Sequence, residues 1–122
     1  MIRIWLAVAG FGGLLSVAAG ALAAHGAGDA HMAELLRTGA LYGLVHAAAL
    51  LAVIAAAERR ERRGVALAIA GWGFAVGIVL FSISLFALAL TGIERFGLVT
   101  PLGGSCLMIG WAALGLRAFY RR

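Results

Sequence analysis

TGALYGLVHAAALLAVIAAA, residues 38–57, runs for twenty positions without a charged side chain. As an α-helix it is about 30 Å long, the thickness of a bilayer's hydrocarbon core. Three further uncharged stretches match it in kind: 4–24, 64–93 and 96–116. Together they explain a chain of 122 residues that is 64% hydrophobic and only 12% charged, far too little polar surface for a soluble domain. In lipid every backbone N–H and C=O must be satisfied internally, which leaves helices and closed barrels. Barrel strands alternate polar and apolar residues, and these stretches do not. The expected fold is therefore all-α, a four-helix transmembrane bundle with short loops. The helices are placed at about 4–24, 30–57, 64–91 and 100–120, in a single integral membrane domain covering 1–122.

The net charge of +5 is distributed as a topology signal. Arg3, Arg59, Arg60, Arg62, Arg63, Arg117, Arg121 and Arg122 fall on one side of four crossings, and only Arg37 and Arg95 on the other. Arginine excess marks the cytoplasmic face, so both termini are expected there. The protein should lie in a bacterial inner (plasma) membrane as a multi-pass span. The lipid bilayer is the expected partner, and nucleic acid is not. The ERRERR hairpin reads as headgroup-level charge, with a docking patch for anionic lipid or an acidic protein as the alternative. MIRIW, an apolar run and ALAA resemble a secretory signal. The apolar run is longer than a signal core, so helix 1 is expected to stay as an uncleaved span.

The connections carry ordinary punctuation. Gly26 and Gly28 end helix 1, and Asp29 is a candidate N-cap for a helix starting at Ala30. Gly92 and Gly97 mark the third connection. Thr100-Pro101 reads as an outer-face helix start, with Thr as cap and Pro at the first helical position. Gly103 and Gly104 follow it.

Helices in lipid associate through small residues that let backbones approach. Helix 1 offers Gly12, Ser16, Gly20 and Ala24; helix 2 offers Gly39, Gly43 and Ala47; helix 3 has Gly73 and Gly77; helix 4 has Gly110 as well as Gly103 and Gly104. An internal echo relates AVAGFG from Ala7 to AIAGWG from Ala68, and would make the two halves parallel repeats.

His46 is the polar exception. Eleven residues separate it from Ala57, about 16 Å along a helix and close to the bilayer midplane. An ionisable group at that depth is a candidate functional site, and neutral imidazole is its cheaper form. Tyr42 lies one turn away, and Ser16, Ser82 and Ser84 sit at similar depth as possible cross-helix partners. Three readings stand side by side: an interhelical hydrogen bond, a proton or ligand site, and a metal or haem ligand. The last is disfavoured because His25 and His31 lie far above His46. His25, Asp29 and His31 alone make a poor surface site. No metal and no cofactor are expected. Asp and Glu are absent from the four helix interiors, which lowers a coupled-transport reading. One cysteine, Cys106, allows no internal disulfide. No Ser-His-Asp set, phosphate loop or HExxH motif is present, so no catalytic residue is named and the protein is not expected to be an enzyme.

Several stretches in order resemble one known family. They are AAH closing helix 1, Tyr42 with His46 and AAALL, LFSISLFALALTG from Leu80, and TPLGG with Gly110-Trp111. The similarity is to the small membrane proteins catalogued as domain of unknown function 423, and it covers nearly the whole chain. The resemblance implies a four-helix integral membrane protein and no activity. Its family-like positions are His25, Tyr42, His46, Phe81, Ser82, Ser84, Leu85, Thr100, Pro101, Gly103, Gly104 and Trp111. The chain departs from the family pattern at Ile83, Phe86 and Val45, where glycine, tyrosine and an aromatic are usual.

The leading functional expectation is a non-enzymatic accessory or structural component that packs with itself, as a homo-oligomer, or with a larger membrane complex. The alternative is a small permease or ligand-binding bundle. Its polar site would be Tyr42, His46, Ser82 and Ser84, with the Thr100-Pro101 helix start near the outer surface, and its small-molecule ligand is unknown.

Overall fold

The computed structural model describes residues 1–59 and 64–120. Four helices account for nearly all of them: α1 (Ile2–His25), α2 (Ala30–Glu58), α3 (Val65–Thr91) and α4 (Arg95–Tyr120). Each is long and apolar enough to cross a membrane. The outer surface is apolar at mid-span, with Phe11, Leu14, Leu41, Leu102, Met108 and Ile109 all exposed. That surface faces lipid, since water would not tolerate so continuous an apolar belt.

Local chemistry sets the helix ends. Gly26 closes α1, its N–H bonding to the Leu22 carbonyl at 2.8 Å. The Asp29 carboxylate accepts from Met32 N–H at 2.7 Å and starts α2, offsetting one orphan donor of the first turn. Across this connection the Arg37 guanidinium donates to the Ala23 carbonyl at 3.5 Å, a cation at the negative end of α1. Gly92 adopts φ 67° and terminates α3, with its N–H on the Leu88 carbonyl; only a residue without Cβ takes that left-handed conformation cheaply.

The fourth helix corrects the expected start at Thr100-Pro101. It begins at Arg95, because the turn after Gly92 already directs Phe96 N–H to Ile93 O and Gly97 N–H to Glu94 O. Pro101 therefore lies inside the helix, where it lacks the N–H that would bond back to Gly97. Membrane helices tolerate this when neighbouring hydroxyls and helices compensate. The acceptor deprived of its donor is the Gly97 carbonyl, which neither nearby hydroxyl serves: Ser105 Oγ bonds the Pro101 carbonyl at 3.0 Å, and Thr100 Oγ1 lies 3.5 Å from the Phe96 carbonyl.

A second feature had no signal in the sequence. Residues Ile78–Ile83 of α3 form a single π-helical turn, a wider turn that absorbs an extra residue and occurs often at functional positions. Opposite it, Gly103 of α4 comes against the backbone of Leu80 and Phe81.

The packing is uneven. Residues Trp5, Ala9, Gly12, Ser16, Ala19 and Ala23 are the buried stripe of α1, at alternating spacings of four and three, the period of one helix face. On α4 the buried stripe is Gly103, Leu107, Gly110 and Ala113. Between them, α2 and α3 are buried on broader surfaces. Helix α1 packs chiefly on α2, and α4 chiefly on α3. The α3–α4 seam is close. A methyl on Gly73 would meet the Gly110 backbone at 3.0 Å and the Cys106 carbonyl at 2.9 Å, and a methyl on Gly110 would meet the Phe74 ring at 2.7 Å. Gly77 lies against Leu107. Arg60, Arg62, Arg63, Arg121 and Arg122, counted above for the topology, lie outside the described residues.

Candidate functional site

His46 projects from α2 into the core and is 5% exposed. Both ring nitrogens have partners. Nδ1–H donates to the Tyr42 carbonyl, one turn back, at 2.6 Å. Nε2 accepts from the Trp111 indole Nε1–H of α4 at 3.0 Å. A carbonyl can only accept and an indole N–H can only donate. The pair of bonds therefore holds the imidazole in one form, the neutral Nδ1–H tautomer.

Aromatic rings complete the enclosure. Phe74 of α3 lies 5.6 Å from the imidazole, between centroids, and Trp111 6.0 Å. Phe74 and Trp111 meet edge to face at 5.1 Å, a geometry favoured by ring quadrupoles. The Tyr42 ring is nearly parallel to the imidazole at 5.9 Å and tilts onto Phe81 at 4.8 Å. Tyr42 itself is half-exposed towards lipid. Chemically, the arrangement is closed: neither imidazole nitrogen is left to ligate, protonate or bind a guest.

The hydroxyls named as partners for His46 go elsewhere. Ser84 Oγ lies 2.7 Å from Thr100 Oγ1 and bonds the Phe81 carbonyl at 2.9 Å. It thus ties α3 to α4 and is not part of a site with His46. Ser16 and Ser82 are fully buried and converge on Gly43. Their oxygens have no hydrogen-bond partner among the described residues. Tyr42, His46, Ser82 and Ser84 are thus spread over three separate contacts. Trp111, the partner that matters to His46, was visible in the sequence only as a family-like position. Nothing in residue spacing links positions so far apart.

The glycines divide in the same way. A methyl on Gly39 would stand 2.6 Å from the Phe86 ring, and one on Gly12 2.9 Å from Ile78 Cγ2, whereas one on Gly20 would touch only the Ala40 methyl at 3.8 Å. Gly104 faces the Phe81 ring at an ordinary 3.7 Å. Gly71, not singled out in the sequence, carries the indole of Trp5 directly on its backbone. In the internal echo, Gly71 corresponds to Gly10, which meets nothing, so the two halves use the motif differently. Asp29 is engaged as a cap. Among the described residues, no three His, Cys, Asp or Glu side chains gather to hold a metal ion.

Comparison with known proteins follows this geometry. The family model "Protein of unknown function (DUF423)" matches residues 19–104. A UPF0382 membrane protein of Haemophilus influenzae is 36% identical over 118 residues, covering 94% of this chain and 93% of that one. The Bacillus subtilis UPF0382 membrane protein YwdK is 34% identical, with 95% and 96% covered. The Escherichia coli UPF0382 inner membrane protein YgdD is 34% identical, with 92% and 86% covered. No solved structure matches the chain.

Proposed function

The chain belongs to the DUF423 family, as a multi-pass protein of the bacterial inner membrane whose molecular function is unknown, and from that premise we propose that it is a non-enzymatic structural or accessory component. In this reading it packs with itself or with a larger membrane complex, and both termini face the cytoplasm. The observation that carries the reading is the closure of His46. Among the described residues, the one buried ionisable side chain of the spans has both nitrogens taken up internally and is walled by Phe74 and Trp111. A permease or ligand-binding bundle needs a polar group that faces a guest, and Ser84, offered for that role, is turned onto Thr100. The apolar grooves on the outside, such as that lined by Arg3, Leu6, Ala7, Gly10, Phe11 and Leu14, do not reach His46.

The test is extraction of the chromosomally expressed protein into native nanodiscs, followed by mass measurement of the particles with and without His46→Leu. The expected result is an assembly heavier than one 12.5 kDa chain, with the variant lowering thermal stability. A monodisperse monomer, in which His46→Leu keeps wild-type stability but abolishes uptake or binding of a small molecule, would overturn the reading.

A further inference from the structure

We propose that Ser16, Gly43 and Ser82 form a binding site for a single water molecule at the centre of the membrane, joining α1, α2 and α3. The site is assembled from three helices. Ser16 Oγ occupies the position that a side chain on Gly43 would fill, and Ser82 Oγ stands 3.1 Å from the same point. Ser16 is 0% exposed and Ser82 1%, and neither oxygen has a hydrogen-bond partner among the described residues.

The contrast with other hydroxyls makes this pair distinctive. Ser84, Thr91 and Ser105 each give their proton to a carbonyl of their own helix, the usual recourse of a hydroxyl on a membrane helix, and Thr100 pairs with Ser84. Ser16 and Ser82 forgo it, and they are the two that meet at one spot from different helices. Ser82 also lies within the π turn. A buried hydroxyl without a partner destabilises the fold, and hydrocarbon supplies no relief.

Water suits the site better than other guests. Each hydroxyl can donate and accept, and a water needs two to four polar partners. An ion would find no carboxylate at this depth, since no Asp or Glu occurs in residues 35–57 of α2 or anywhere in α1 or α3. A larger molecule would find no room beside Gly43, where Ser16 already presses on the backbone. Gly43 adds its Cα–H to the Ser16 oxygen, a weak contact recurrent at helix interfaces.

Two measurements test the proposal. The first is a crystal structure in a lipidic phase at a resolution that shows ordered water. The expected result is a density peak within hydrogen-bond distance of both Ser16 Oγ and Ser82 Oγ. A direct Ser16–Ser82 bond, or rotation of the two hydroxyls onto the carbonyls of Gly12 and Ile78, overturns it. The second is a thermal-stability cycle in detergent with Ser16→Ala, Ser82→Ala and the double variant. A shared water makes each single change lower Tm by several degrees, and the double change lowers it no further than the larger single. Strictly additive shifts, or no shift in either, overturn the site. If Ser16→Ala fails to fold, the wild-type density decides the matter alone.

Discussion

At the scale of a residue, His46 shows how a membrane accommodates an imidazole without using it as an acid or base. The Tyr42 carbonyl holds one nitrogen and the Trp111 indole the other. Changing Trp111 to Phe keeps the ring against Phe74 but strands the Nε2 lone pair. A double-mutant cycle with His46→Leu should return a coupling of about 0.6–2 kcal/mol, the range of interhelical hydrogen bonds in membranes. Unfolding in mixed micelles measures it, and a coupling near zero would mean the bond contributes nothing. The depth of His46 was legible in the sequence, because helix length converts directly into distance from the membrane surface. Its partner was not. Trp111 is 65 positions away, and hydroxyls at matching depth were the nearest candidates by chemistry. Which side chains meet depends on helix rotation, and that is set by packing shape, here by Gly73, Gly103 and Gly110 on the α3–α4 seam.

At the scale of an element, neighbouring glycines on α4 should respond unequally to a methyl group. A Cβ on Gly103 would drive into the backbone of Leu80 and Phe81, whereas one on Gly104 meets only the Phe81 ring at 3.7 Å. Backbone cannot yield as a side-chain tip can, so Gly103→Ala should lower Tm in detergent by several degrees while Gly104→Ala leaves it nearly unchanged. On α2, Gly43→Leu should abolish compact assembly, because Ser16 already fills that notch; unchanged thermal stability would refute the packing. The three earlier helices were legible almost to the residue, since runs without charge have sharp ends. The start of α4 was misread because Thr-Pro is a strong cap signature in water. In a membrane the preceding residues, Arg95 to Val99, gain more by completing their backbone bonds as helix than Pro101 loses by lacking one. The π turn at Ile78–Ile83 leaves no compositional mark, so no reading of residue types would find it.

At the scale of the molecule, the arginine distribution makes a prediction of orientation. A fluorescent reporter fused after Arg122 should light up in the cytoplasm, and a cysteine placed at Gly28 should react with impermeant reagents only from outside; the reverse pattern would overturn the cytoplasmic placement of both termini. The helices are not equally committed to the core. Only single stripes of α1 and α4 are buried, so each leaves most of its circumference to lipid or to another protein.

The attachment of α4 bears on how the chain is made. Helices enter a membrane in order, and α1, α2 and α3 are in place before α4 emerges from the ribosome. During that interval His46 has its carbonyl bond to Tyr42 but no indole for its second nitrogen. The lone pair is then a standing penalty in the half-built protein, relieved only when α4 docks along its glycine seam. Trp111 thus supplies the last hydrogen-bond partner that the imidazole lacks. A chain truncated before it should be inserted yet remain visible to the proteases that survey unfinished membrane proteins, whereas a full-length chain escapes them.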